Sequence, residues 1–182
     1  FNQGVEYAKA HGFSWFITFD QDSSTRPQLL ESLLLVCAAV GEAGLDRLGV
    51  LGANHIDAHT GEPFVDPGET GETVGGYIER KTVITAGSLI PVPAYDTIGP
   101  FRDDFFIDGI DHEYCLRARS KGYRVLLALA PHLVHSTGHR QIKRVFPGLR
   151  VTTVNHAPFR WYTMVRNRLI IVREYARREP SW

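Results

Sequence analysis

Cysteine and methionine are scarce in this chain, with two of the first and one of the second in 182 residues. Cys37 and Cys115 lie far apart inside helix-like patterns. That argues against a disulfide framework and reads as buried thiols in a reducing cytosol. No run of 18 apolar residues could span a bilayer, no stretch resembles a signal peptide, and there are no internal repeats. Net charge is also missing, but the formal zero hides a split. Residues 1–138 carry 10 Lys/Arg against 18 Asp/Glu, whereas residues 139–182 carry 10 against 2. Such an asymmetry implies an acidic site beside a C-terminal region that faces an anion or a membrane. It disfavours nucleic acid as a partner, because the acidic remainder would be repelled. What remains, 43% hydrophobic and 22% charged residues, is the mix of an ordinary globular domain. The chain opens at Phe1, directly in a helical pattern, which reads as a fragment.

The pattern predicts a helix end over Asn2 to Gly12 and a short β-rich run from Ser14 to Phe19, followed by a loop over Asp20–Pro27. Pro27 then opens a helix to about Glu42, with Leu29, Leu30, Leu33, Leu34, Cys37 and Val40 on one stripe. Leu48 to Ile56 is a continuous apolar strand, the kind found in a parallel sheet covered on both faces. A Gly/Pro/Thr-rich loop fills residues 57–73. Further strands are expected at Val74–Lys81, Thr82–Val92, Tyr123–Leu129 and Leu133–Val134, with helices at Pro93–Ile98 and Asp108–Lys121. A basic loop from His139 to Arg150 precedes an arginine-rich amphipathic helix over Phe159–Arg178. Together these predict a mostly parallel α/β sheet with helices on both faces and an antiparallel addition. Residues 1–150 would form the body, and 151–182 a basic helix packed on it or at a membrane surface.

Trp15 to Glu31, WFITFDQDSSTRPQLLE, ends its apolar run at two aspartates. Its oxygens fall at positions one, three, five, nine and twelve of a calcium-binding loop. Three mismatches exclude that reading: Thr25 stands where the sharp turn needs glycine, a strand leads in instead of a helix, and Pro27 occupies the eighth position. A strand ending in carboxylates at a sheet edge is a different object. Ligands of open α/β sheets bind beyond the carboxyl ends of strands, where a carboxylate can hold Mg²⁺ or Mn²⁺ beside diphosphate oxygens. Taken alone the D-x-D signal is weak, since Asp22 or Ser24 could simply cap the following helix.

A second acidic cluster, FFIDGIDHEYCLR at 105–117, places Asp108 and Asp111 at a helix start. That spacing serves capping and complements the helix dipole, but the same turn can project a carboxylate into a cleft as a general base. His135 follows a strand, and beside a carboxylate–diphosphate site it becomes a credible third metal ligand, since imidazole suits Mn²⁺. Thr85-Ala86-Gly87-Ser88 is either a tight turn or a place where backbone approaches a substrate, which glycine permits. The helix RWYTMVRNRLIIVREYARR is either packed with a solvated basic face or lies at an anionic membrane surface.

In their order along the chain, FDQD at 19–22, TAGSLIP at 85–91, IGPF at 98–101, FFIDGIDHEYCLR at 105–117, His135 with Gly138, and RWYTMVRN at 160–167 resemble the inverting family 2 glycosyltransferases of the GT-A fold, the bacterial rhamnosyltransferases in particular. The resemblance covers nearly the whole chain. Its specific parts are the long acidic motif and RWYTMVRN. It implies Asp20 and Asp22 as the D-x-D carboxylates, with Asp22 the metal contact and Asp20 on the substrate. Asp111 would be the general base, Glu113 a support for the acceptor site, and His135 the residue completing the metal–diphosphate side. Gly87, Ser88, Arg160, Arg166 and Asn167 fall among the implied substrate-binding residues. Ile110 stands where the family often has an acid directly before the base, which narrows the subfamily. Ala86 stands where serine is common, which touches only a minor hydrogen bond.

The resemblance implies a nucleotide-sugar donor, dTDP-rhamnose by analogy, and a polysaccharide or lipid-linked glycan acceptor. One carboxylate base and no carboxylate nucleophile predict single displacement with inversion. Such enzymes begin with nucleotide-holding strand–helix–strand units, so roughly 70–100 residues are expected before Phe1. On that expectation the chain alone binds nucleotide weakly or not at all. Two other classes stay open: a non-catalytic glycan-binding or assembly fragment, and a metal-dependent phosphoesterase. The last lacks the denser His/Asp set that two-metal hydrolysis needs.

Overall fold

The computed structural model describes residues 1–65, 76–135, 140–146, 149–154 and 156–179, with backbone alone in 140–146 and 149–154. Helix α1 (Asn2–Ala10) leads into strand β1 (Trp15–Thr18), the two-residue β2 (Ser24–Thr25), α2 (Leu29–Val40), the single turn α3 (Glu42–Leu45) and the long β3 (Leu48–Asp57). Then come β4 (Tyr77–Glu79), β5 (Ser88–Pro91), α4 (Val92–Ile98), α5 (Ile110–Ser120), β6 (Arg124–His135), the hairpin β7 (Arg140–Phe146) and β8 (Leu149–Val154), and α6 (Pro158–Tyr175).

The main sheet runs β1-β5-β3-β6-β2, with β4 also on β6. Among the described residues only β3 and β6 pair in parallel; the other pairings are antiparallel, which corrects the expected mostly parallel sheet. The continuous burial of β3 does reflect cover on both faces. Leu33 of α2 closes one side against Leu51, Leu126 and Leu133. Ile98 of α4 and Tyr114 and Ala118 of α5 close the other against Val50 and Val125. Each such large side chain contributes about 1.5–3 kcal/mol on burial. An apolar run reports the two covers and is silent on strand direction, so the parallel assignment did not follow from it.

Direction nevertheless organises the molecule. Because β5 runs against both β1 and β3, and β3 runs with β6, strands β1, β3 and β6 all end at the same edge. The residues after Thr18, the end of β6 at His135 and the turn before Ser88 therefore meet there. Strand β6 is one strand through His135 rather than two, and carries a register shift opposite Asn54. Buried Asn54 absorbs that irregularity: its Nδ2 donates to Val65 O at 2.7 Å and Leu129 O at 2.9 Å, and its Oδ1 accepts from Val65 N. The predicted basic loop is largely a hairpin, Arg140 opposite Val154 and Phe146 opposite Leu149. The loop expected over 57–73 and the start of the Val74–Lys81 strand fall partly outside the described residues, as does Gly138.

Helix α6 packs through Ile171 and Tyr175 against Phe105 and Leu116. Both cysteines are buried free thiols. Among the described residues no helix is long and apolar enough to cross a membrane.

Candidate active site

The D-x-D loop leaves the end of β1 and is drawn back along β6 by the short strand β2, which pairs Ser24 with Val134 and Thr25 with Leu133. That register sets Ser23 beside His135, whose Nδ1 lies 3.0 Å from Ser23 Oγ. With Nδ1–H donating to the hydroxyl, the Nε2 lone pair is left for a cation. Asp20, Asp22 and His135 each bring a ligand atom within 4.8 Å of the others. The Asp20 carboxyl is held above its ordinary value of 3.8, first by burial, with His135 opposing and the charges of Asp22 and Asp111 adding to it.

These three residues line a cleft of about 570 Å³, together with Ile84, Thr85, Asp108, Asp111 and Arg160. A second cleft of about 510 Å³ lies between the start of α5 and the face of α6, lined by His112, Trp161, Met164, Val165 and Arg168. Asp108, Gly109 and Asp111 belong to both, so Asp111 stands at the junction of the two.

The loop that leads into α5 and Asp111 is strained. Phe106 and Asp108 have φ of 55° and 64°, and Gly109 follows at 84°. A non-glycine residue there costs roughly 1–3 kcal/mol and needs outside support. Asn167 of α6 supplies it: the buried amide Nδ2 donates to Phe105 O at 3.0 Å, Ile107 O at 3.0 Å and Asp108 O at 2.7 Å. Arg166 Nε donates to Asn167 Oδ1 at 2.9 Å, and the same guanidinium also reaches Asp104 O. Arg160 adds a bidentate pair with Asp108, Nε to Oδ2 at 2.9 Å and a terminal N–H to Oδ1 at 3.0 Å. Thus RWYTMVRN is tied to the acidic loop, with Arg160 alone of its three named residues lining the first cleft.

Other predicted site residues lie elsewhere. Glu113 is 2% exposed, held by Arg117 at 3.0 Å and accepting from the Tyr175 hydroxyl at 2.7 Å, and it lines neither cleft. Gly87 (φ 71°) makes the turn into β5, its N–H donating to Thr18 O at 2.8 Å; a Cβ there would come within 3.0 Å of Ala53 Cβ. Ser88 is buried and donates to Ile84 O at 2.6 Å. Thr85 and Ile84, just before them, are the members of that turn that line the cleft. Sequence reasoning missed Ser23, Trp161 and the Asp108–Arg160 pair, and singled out Thr85 only as part of the Thr85–Ser88 turn. The conformation of Asp108 was not visible, because a left-handed backbone at a non-glycine position leaves no compositional mark.

The sheet edge brings together two carboxylates and an imidazole, a set able to coordinate a divalent cation, beside a carboxylate shared by two clefts. No family model matches the chain. It is a distant relative, at 26% identity over 182 residues, of the dTDP-rhamnosyl transferase RfbF of Shigella flexneri. The match takes in 95% of this chain and 58% of that protein, so the chain spans less than two thirds of the relative's length.

Proposed function

We propose that this chain carries the metal side and the general base of an inverting GT-A-like glycosyltransferase that moves a sugar, L-rhamnose by analogy with the relative, from a nucleoside diphosphate to a polysaccharide or lipid-linked glycan. The observation that carries the reading is the junction: Asp111 borders both the cleft holding Asp20, Asp22 and His135 and the second cleft against α6.

The cation site fits its proposed occupant. Two carboxylates with one imidazole suit Mg²⁺ or, better, Mn²⁺, and the Asp20 carboxyl, raised first by burial and then by the charges of Asp22 and Asp111, is one whose ionised form a cation would stabilise. Asp22 and His135 would hold the ion, with Asp20 on the substrate side; bound there, it would neutralise charge on the departing diphosphate. The chain's own residues do the rest. Asp111 accepts the proton of an acceptor hydroxyl presented from the second cleft. The hydroxyl oxygen bonds to the anomeric carbon as the bond from that carbon to the diphosphate oxygen breaks, and the nucleoside diphosphate leaves with the electron pair. Attack from the face opposite the leaving group inverts the anomeric centre. Arg160, paired with Asp108, keeps the loop between the clefts in place and presents positive charge to the diphosphate side. Gly87, Ser88 and Glu113 support the site through the turn and core they build.

The test combines Mn²⁺-dependent thermal shift with a dTDP-rhamnose transfer assay read by NMR of the product anomer. Asp111→Asn is expected to abolish transfer and keep the metal-dependent stabilisation, while Asp22→Asn and His135→Ala lose the stabilisation. Wild-type turnover in Asp111→Asn sinks the assignment. Metal and donor binding with no transfer by the wild-type chain would favour the non-catalytic module.

A further inference from the structure

Helix α6 turns one face inward through Thr163, Asn167, Ile171 and Tyr175, four residues apart. The opposite face is also apolar: Trp161, Tyr162, Val165, Leu169 and Val172, at helical spacing, are 42–65% exposed. A helix with two apolar faces has a second surface to cover. At its N-terminal end Phe159, 60% exposed, meets Phe106, 73% exposed, with ring centroids 6.1 Å apart. Phe106 is the residue held at φ 55° in the strained loop, so the clamp from Asn167 has the added result of presenting an aromatic ring outward.

Charge selects the occupant. By helical position Arg168 follows one edge of the outward stripe and Arg173 the other, and Arg177 and Arg178 are exposed just past the helix end. The single acid between residues 158 and 178, Glu174, is held by Arg102 at 2.9–3.0 Å. A second copy of the chain meeting this face about a twofold axis would set arginine borders against one another. An anionic lipid surface satisfies both features, taking the aromatic rings at headgroup level and the guanidinium groups on its phosphates.

We propose that the outward face of α6, with Phe106 and Phe159, docks on an anionic bilayer surface. Trp161, Val165 and Arg168 also line the second cleft, so docking turns the mouth of that cleft toward the lipid. The docking needs neither donor nor metal and stands or falls apart from the transferase reading.

The test is co-sedimentation of the full chain with phosphatidylcholine vesicles, with and without phosphatidylglycerol, at low and high salt. Binding to the anionic vesicles is expected to be about tenfold or more tighter than to neutral ones, and to weaken with salt. Val165→Glu with Leu169→Glu, both at exposed positions, is expected to lose about tenfold or more of that binding while keeping its circular dichroism and melting temperature. Arg168→Gln with Arg173→Gln keeps the apolar stripe and is expected to lose the salt-sensitive part. Equal binding to neutral and anionic vesicles, no binding, or binding unchanged in either double variant overturns the proposal. So does a wild-type dimer in solution that Val165→Glu with Leu169→Glu converts to monomer, which would assign the face to a second copy.

Discussion

Replacing Asn167 by alanine tests the link between α6 and the acidic loop most directly. The substitution removes a buried amide whose Nδ2 serves three carbonyls at 2.7–3.0 Å and whose Oδ1 accepts from Arg166. A net hydrogen bond contributes about 0.5–1.5 kcal/mol, and a buried carbonyl left without a donor costs about 1–3 kcal/mol. Water entering the gap, or relaxation of Phe106 and Asp108 out of the left-handed region, returns part of this. The expected destabilisation is about 2–4 kcal/mol, which in a chain of this size lowers the melting temperature by roughly 5–15 °C. Chemical denaturation gives the free energy, and amide exchange gives the location. Protection should fall first at residues 105–110, before α2 or β3. Asn167→Asp, nearly isosteric, should be no better than alanine, because it turns a carboxylate toward the same three carbonyls. If activity is present, displacing Asp111 by about 1 Å should cost about a hundredfold in turnover, with a smaller effect on donor affinity. Wild-type stability together with unchanged exchange at 105–110 in Asn167→Ala would refute the claim that this amide holds the loop.

Glu113→Gln should cost about 2–4 kcal/mol, because it leaves Arg117 short of its buried partner, moderated by the guanidinium's other bonds to Ile98 O and Pro100 O. Acceptor KM should not move, and a KM effect without a stability loss would return Glu113 to the acceptor site. Asp20 titrates above 3.8, so its ionisation lowers stability as pH rises through the folded-state value, and below the unfolded value that penalty is gone. In chelator, Asp20→Asn should therefore melt above wild type at neutral pH, with the gap closing below about pH 4; a gap independent of pH contradicts the assignment. Burial pushes the Cys115 thiol up to about 12, so native protein should resist thiol reagents there until denatured. Rapid labelling of Cys115 in folded protein would count against its place in the core.

The parts legible in the sequence were those with a local cause. Apolar spacing located α2, α5 and α6, and the β-rich run before Asp20 located β1. The edge carrying Asp20, Asp22 and His135 was reached through a mistaken premise about parallel pairing. It survives because β1, β3 and β6 share a direction even though antiparallel β5 stands between β1 and β3. What stayed hidden was set by partners distant in the chain. The two-residue β2 exists only because β6 offers its edge, and Ser23 meets His135 only through that pairing. Phe106 and Asp108 take left-handed conformations against their own preference because Asn167 and Arg160, more than fifty residues on, hold them there.

Those long-range bonds also make α6 and the 104–109 loop a single heritable unit. An exchange of Arg160 for lysine gives up the two-pronged grip on Asp108, and any change at Asn167 takes a donor from three carbonyls at once, so drift at either segment demands a matching change in the other. A chimera that borrowed the acidic motif without its helix would inherit the carboxylates and lose their arrangement. Cutting the chain ahead of Pro158 would have the same result: Asp20, Asp22 and His135 would remain at their sheet edge, and Asp111 would follow a loop with nothing to keep it bent.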